Sequence, residues 1–215
     1  MRLVDGITLG MLTVFVAFAL GFWRGRCRRN ALEHQGEAAV RRALTRQFPG
    51  SASHLLHHLT LPFGDGTTEI DHVLVAWNGI FVIETKHYSG TIVASSTAPT
   101  WTKIIGPYAY RFQHPLRQNC KHVKAIQRVL DFMPAKHMHS LVVFTGTARF
   151  RMAQPQGVFD VSGAVRHIQH YAEQVLTVQD LYLCVGRLEC QRKRLSRQTD
   201  VEHHAYLQRK FGDVP

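Results

Sequence analysis

Apolar and polar positions along the chain change period several times, and each change marks an element. Gly6 to Trp23 contains no charged residue. It meets the roughly 17 to 25 apolar residues a bilayer-spanning helix needs. From Leu32 to Phe48, Leu32, Ala39, Val40, Ala43, Leu44 and Phe48 recur at helical spacing, and Pro49-Gly50 ends the helix. Ser53 to Leu61 alternates weakly, as a strand does, and stops at Pro62 and the Gly64-Asp65-Gly66 turn. Two strongly apolar strands follow over Glu69 to Lys86, joined at Asn78-Gly79, a dipeptide that supplies the positive φ of a tight hairpin. Gly90 to Val93 starts another strand. Trp101 to Ile104 and Tyr108 to Phe112 read as a further hairpin on the flank, with aromatics expected to serve packing rather than base stacking.

His114-Pro115-Leu116 then opens a helix that runs to about Phe132, with proline in its first turn. Its expected buried side carries Leu116, Cys120, Val123, Ile126, Gln127 and Leu130. Met133-Pro134 stops it, and Ser140 to Thr145 is a nearly continuous apolar run of the kind found in a central strand. Downstream, Ala164 to Tyr171 and Val178 to Leu188 read as helices, the second opened by Thr177 with Asp180 as an acidic variant of the capping box. The order of helix, three strands, helix and strand predicts an α/β fold with a mixed central sheet flanked by helices, preceded by a transmembrane helix. The expected organisation is a membrane anchor with a basic flank over residues 1–30, a globular domain over 31–150 and a helical extension over 151–215 packed on or following it.

Charge orients the anchor. Arg24, Arg26, Arg28 and Arg29 follow the apolar run at once, against Arg2 and Asp5 before it, so the positive-inside rule places the C-terminal side in the cytoplasm. A secretory signal peptide would carry the opposite charge order and a small-residue cleavage site, and neither is present. The expected location is the inner (cytoplasmic) membrane, single-pass, with the globular part in the cytoplasm. Across 215 residues the formal charge is +11, which favours polyanionic partners, either nucleic acid or an anionic membrane surface. Cys27, Cys120, Cys184 and Cys190 show no paired spacing, which points away from a zinc site or a disulfide framework and toward reduced thiols. His54, His57 and His58 read as surface or edge histidines, since H-x-x-H on a strand splits its histidines between faces. Arg192, Lys193, Arg194 and Arg197 read as a solvated helical face.

The chemistry concentrates in the hairpin. Strand alternation puts Glu69 and Asp71 on one face and Glu84 and Lys86 on one face, inside strands too apolar to hold charges without partners. Two carboxylates and a lysine suit phosphodiester hydrolysis. Asp71 and Glu84 can ligate Mg²⁺ or Mn²⁺ with a main-chain carbonyl near Thr85, while Lys86 can orient water and offset phosphate charge. Glu37, early in the first helix, is either a third acid of that site or a solvated residue favouring the helix dipole. E-x-K alone is a weak signature, and the same acids could be salt-bridged structural groups.

The set Gly36-Glu37, Glu69-Ile70-Asp71-His72, Gly79 to Lys86, Tyr88-Ser89-Gly90 and Pro115-Leu116-Arg117-Gln118-Asn119 resembles the NERD (nuclease-related) domain over roughly Glu33 to Thr145. That family is similar to the PD-(D/E)xK nucleases with their restriction-endonuclease-like core. The resemblance implies Asp71 and Glu84 as metal ligands, Lys86 as the catalytic lysine, Glu37 as the helical acid and Gln118 as a polar group from the second helix. It implies a membrane-anchored, Mg²⁺-dependent nuclease acting on DNA, in DNA processing or defence. The alternative is a nucleic-acid-binding or scaffold module that keeps the fold without hydrolysis. Many relatives have asparagine where this chain has His114, an accessory position.

Overall fold

The computed structural model describes residues 34–193. The expected anchor over Gly6 to Trp23 lies outside them, as do Cys27, Arg194 and Arg197. Among the described residues no helix is long and apolar enough to cross a membrane.

Helix α1 covers residues 34–47, followed by strands β1 (Ser53–Phe63), β2 (Gly66–Ala76) and β3 (Gly79–Tyr88). A flank of β4 (Thr91–Val93), β5 (Thr100–Ile105) and β6 (Tyr108–Gln113) leads to α2 (Pro115–Val129) and β7 (Met138–Gly146). Short strands β8 (Arg149–Phe150) and β9 (Val158–Phe159) precede α3 (Val161–His170) and α4 (Val178–Gln191). The main sheet runs β1-β2-β3-β7-β9, antiparallel from β1 to β3 and parallel from β3 through β7 to β9, so it is mixed. A second sheet runs β6-β5-β4-β8.

Each face of the main sheet buries its own apolar cluster. Val73, Val75, Ile80 and Val82 meet Ala125 and Ile126 of α2 and Leu181, Cys184 and Leu188 of α4. Leu74, Phe81, Ile83, Leu141 and Val143 meet Val40 and Leu44 of α1 and Ala164 and Ile168 of α3. Trp101, Phe144, Val142 and Ile92 seat the second sheet against β7. Thr177 and Asp180 form the reciprocal cap expected at the start of α4.

Four local expectations are corrected. The turn between β2 and β3 is centred on Trp77 and Asn78, and only Gly79, at φ 146°, adopts a positive angle. Asn78 instead donates from Nδ2 to the carbonyls of Ile168 and Tyr171, each at 2.9 Å, tying the turn to the end of α3. Strand β1 runs through Pro62, which an edge strand tolerates because one side of its ladder needs no donor. On α2 the sheet-facing residues include Pro115, Asn119, His122, Ala125 and Ile126, whereas Cys120 and Gln127 are exposed.

The last correction concerns strand phase. Leu56 and Leu59 lie in the same cluster, as do Ile70 and Val73, although strict alternation would send each pair to opposite faces. The β1–β2 pairing keeps one register on both sides of this point but skips His58 and Asp71. His58 takes the left-handed conformation, φ 48°, in which a residue with a Cβ is strained. Both strands thus switch phase at His58 and Asp71, so strict alternation does not carry from Glu69 through Asp71 to Val73.

Candidate functional site

The phase switch opens the sheet where the acids sit. Strands β2 and β3 pair from Ala76 opposite Gly79 as far as His72 opposite Ile83. The next pair in that register would be Asp71 and Glu84, and there the ladder ends. Asp71 Oδ2 accepts the main-chain N–H of Thr85 at 2.6 Å, so a side chain takes the place of the missing backbone acceptor. Glu84, 2% exposed, and Lys86 project from the same face of β3, with Nζ donating to Glu84 Oε1 at 2.5 Å. Lys86 Nζ also donates to Gln118 Oε1 at 3.2 Å.

Two further groups, Asn119 of the quoted motif and His122 beyond it, had no role assigned from the sequence and complete this arrangement. His122 Nε2 lies 3.1 Å from Glu84 Oε2, and its Nδ1 lies 2.8 Å from Thr68 Oγ1. An ionised carboxylate only accepts, so Nε2 carries the proton shared with Glu84. Asn119 Nδ2 meets Val82 O, Ser140 Oγ and Leu141 O, each at 2.9 Å, joining α2 to β3 and β7 below the site. The signal for both was present in the spacing: Pro115, Asn119, His122 and Ile126 fall at helical intervals of four, three and four.

Burial and charge divide the two strand acids. Burial pushes Glu84 upward, but the Lys86 ammonium and the bond from His122 outweigh it and hold the carboxyl at about 2. Burial likewise raises Asp71, and there the Glu84 charge adds to it. Lys86 and the Thr85 N–H oppose the rise without cancelling it, so Asp71 stays well above the usual carboxylate range. Lys86 is lowered by burial but raised more strongly by Glu84, Tyr88 and Asp71, so it stays charged. One acid is therefore paired, and the other carries an unmet demand for positive charge.

Glu37 reaches the site from α1. Gly36 lets the helix approach so closely that a Cβ there would lie 2.5 Å from Thr145 Oγ1 and 2.7 Å from His87 Cβ. Glu37 Oε2 lies 3.4 Å from His58 Nε2, and its charge contributes to the raised Asp71. The structure thus brings Asp71, Glu84, Lys86 and Gln118 together, with Glu37 beside His58 at the phase switch. Thr85 contributes its N–H to Asp71, while its hydroxyl is buried without a hydrogen-bond partner.

Accessory positions also differ from expectation. His114 caps α2, its Nδ1 accepting from Arg117 N at 3.4 Å while the ring packs on Trp101. Arg192 is not a solvated residue: it donates to the carbonyls of His57 and His58 at 3.3 and 3.1 Å and pairs with Glu189. On the flank, Trp101 and Phe112 do pack, but Tyr108 and Tyr110 are exposed.

The profile of the nuclease-related domain (NERD) matches residues 32–145, the stretch from α1 to β7 that carries Glu37, Asp71, Glu84, Lys86 and Gln118. Over 197 residues the chain is 32% identical to an uncharacterized protein of Bacillus anthracis, covering 88% of this chain and 86% of that protein. No solved structure matches it. With a match over more than half its length, the chain belongs to the nuclease-related domain family.

Proposed function

We propose that this chain is a metal-dependent nuclease hydrolysing phosphodiester bonds of DNA, with a restriction-endonuclease-like core of the PD-(D/E)xK kind. The observation that carries it is the convergence of Asp71, Glu84 and Lys86 at the opened β2–β3 ladder, with Gln118 on the lysine. Two carboxylates side by side, Glu84 buried and Asp71 half-buried, the latter raised by desolvation and then by the charge of Glu84, suit a hard divalent cation. Asp71 and Glu84 would hold Mg²⁺ or Mn²⁺, with the Thr85 carbonyl as a third oxygen. When bound, such an ion supplies Lewis acidity and a more acidic water.

The chain's own groups do the rest. Lys86, charged and fixed between Glu84 and Gln118, orients water and offsets charge on the phosphoryl oxygens. His122, backed by Thr68, fixes the Glu84 carboxylate from the helix side. Glu37 extends the acidic edge toward His58. The uncharged run Gly6 to Trp23, followed by four arginines, supports a single-pass anchor in the inner membrane with this domain in the cytoplasm. A reporter fused after Pro215 is expected to read cytoplasmic, and a periplasmic signal would refute that orientation.

The test is cleavage of labelled linear and circular DNA, and of RNA, with Mg²⁺, Mn²⁺ or EDTA, beside Glu84→Ala and Lys86→Ala. Metal-dependent cleavage lost in both variants is expected. A second reading has one observation in its favour: both Glu84 oxygens already meet donors, as in a closed structural network. On that reading the domain binds nucleic acid or acts as a scaffold without cutting. Absence of cleavage, with salt-sensitive binding that survives both substitutions, would establish it.

A further inference from the structure

Strand β6 is the edge of the second sheet, and its residues Tyr108, Ala109, Tyr110 and Arg111 are all exposed. Tyr108, Tyr110 and Phe112 share one face, opposite Ile105, Lys103 and Trp101 of β5. At its base this face is core, with Trp101 1% exposed and packed on Phe112 and Phe144. Farther out it leaves the body of the protein: Tyr110 is 51% and Tyr108 64% exposed, their centroids 6.5 Å apart. Ile105, opposite Tyr108, is 41% exposed. Two bare aromatic rings on an edge strand are a liability unless something covers them.

The rings line up with the candidate site. Tyr88 is the next side chain beyond Lys86 on its face of β3, and it packs on Phe112. Lys103 Nζ stands 4.3 Å from the Tyr88 ring centroid and 5.8 Å from that of Tyr110. Lys86, Tyr88, Lys103, Tyr110 and Tyr108 therefore form one track from the acids to the hairpin tip. The sequence between Glu84 and Asp131 includes Lys86, Lys103, Arg111 and Arg117 and contains no aspartate or glutamate. Alternating ring faces and ammonium groups complement a strand whose bases are unstacked and whose phosphates are close by.

We infer that the exposed face of the β5–β6 hairpin binds single-stranded nucleic acid and leads it toward Asp71, Glu84 and Lys86. A duplex is less well served, because its base faces are already stacked on one another. The inference rests on the proposed nuclease reading for the direction of the track. The binding surface itself is tested separately, without cleavage.

The experiment is fluorescence anisotropy in EDTA on the full-length chain, with a labelled oligothymidylate and a labelled duplex of equal length. Wild type is compared with Tyr108→Ala, Tyr110→Ala, Tyr110→Phe and Lys103→Gln. Each Tyr→Ala is expected to weaken single-strand binding about tenfold while shifting duplex binding less than about threefold, and Tyr110→Phe is expected to retain affinity because stacking needs the ring. Lys103→Gln should weaken binding and reduce its salt dependence. Unchanged single-strand affinity in both Tyr→Ala variants would overturn the inference, and so would equal losses on duplex. Tyrosine-dependent binding to phosphatidylglycerol vesicles, with none to oligothymidylate, would also overturn it and assign the face to membrane. Tyrosine-dependent binding in a protein that cuts nothing would sustain this surface and sink only the hydrolytic reading.

Discussion

Asp71 and Glu84 lie side by side, yet neutralising them should have opposite effects. Asp71 is held protonated above its ordinary range by burial and by Glu84, so its folded-state pKa is raised. Stability from such a group is complete below its unfolded pKa and is lost as pH rises through the folded value. Each unit of elevation costs about 1.4 kcal/mol once the carboxyl ionises. Asp71→Asn removes that loss and keeps an oxygen for the Thr85 N–H, so in EDTA at pH 8 it should be more stable than wild type, by that amount for each unit of elevation removed. For a chain of this size each kcal/mol gained raises the Tm by about 2–4 °C.

Glu84→Gln keeps one acceptor oxygen but loses the charge and the second acceptor that Lys86 and His122 use, and leaves the Lys86 ammonium beside a neutral amide. Truncating a buried ion pair typically costs about 3–5 kcal/mol. Here Asp71, relieved of its neighbour, can ionise in compensation, so a loss of about 2 kcal/mol is expected, and the double variant should lose more than the two singles sum to. Cation binding works in the opposite direction. At ten times its Kd, a bound ion adds about 1.4 kcal/mol to wild type, and this gain should vanish in Asp71→Asn. Differential scanning fluorimetry in EDTA, Mg²⁺ and Mn²⁺ reads all of these. Destabilisation of Asp71→Asn in EDTA together with an intact cation response would refute the reasoning.

Two further outcomes follow from buried groups around the site. His72, 1% exposed, is lowered to about 3 by burial and by His58, His57 and Arg41, so it is neutral in the folded protein. Its stabilising contribution is complete above about pH 6.5 and falls by about 1.4 kcal/mol per unit as pH drops from there toward about 3. His72→Gln should flatten part of the acid slope in urea titrations between pH 7 and 5, and an unchanged slope would contradict the assignment. Asn119→Ala removes an amide whose two protons serve three acceptors, at a cost of about 2–3 kcal/mol. A urea midpoint within error of wild type would show that the amide does not join the elements.

Much of this was legible in the sequence because apolar period reports burial. The strands β2, β3 and β7, the end of α1 at Phe48 and the Thr177–Asp180 cap all stand where pattern and capping chemistry put them. Glu84 and Lys86 meet by strand parity and Asp71 by adjacency across the hairpin, whereas Gln118 was reached through the family resemblance and not through spacing. The buried side of α2 was misread because Asn119 and His122 are polar, and hydropathy sends polar residues outward. Their burial depends on partners 21 to 54 residues away, which no local window contains. Nor could parity survive the switch at His58, where one left-handed residue changes which side chains share a face.

The hold of Arg192 on the carbonyls of His57 and His58 sets the minimum length of a working fragment. The residue that steadies the kinked first strand arrives some 130 positions later, from beyond the end of the family match. Lys193 N adds a bond to Thr60 O at 2.9 Å, and Leu181, Cys184 and Leu188 roof the cluster that holds Leu59 and Leu61. A fragment cut at the family boundary would keep every acid of the site yet lose the clasp on β1 at His57 and His58, across from Asp71. The inheritable signature and the cooperative folding unit are therefore different lengths of chain, and biochemical work should be designed on the longer one.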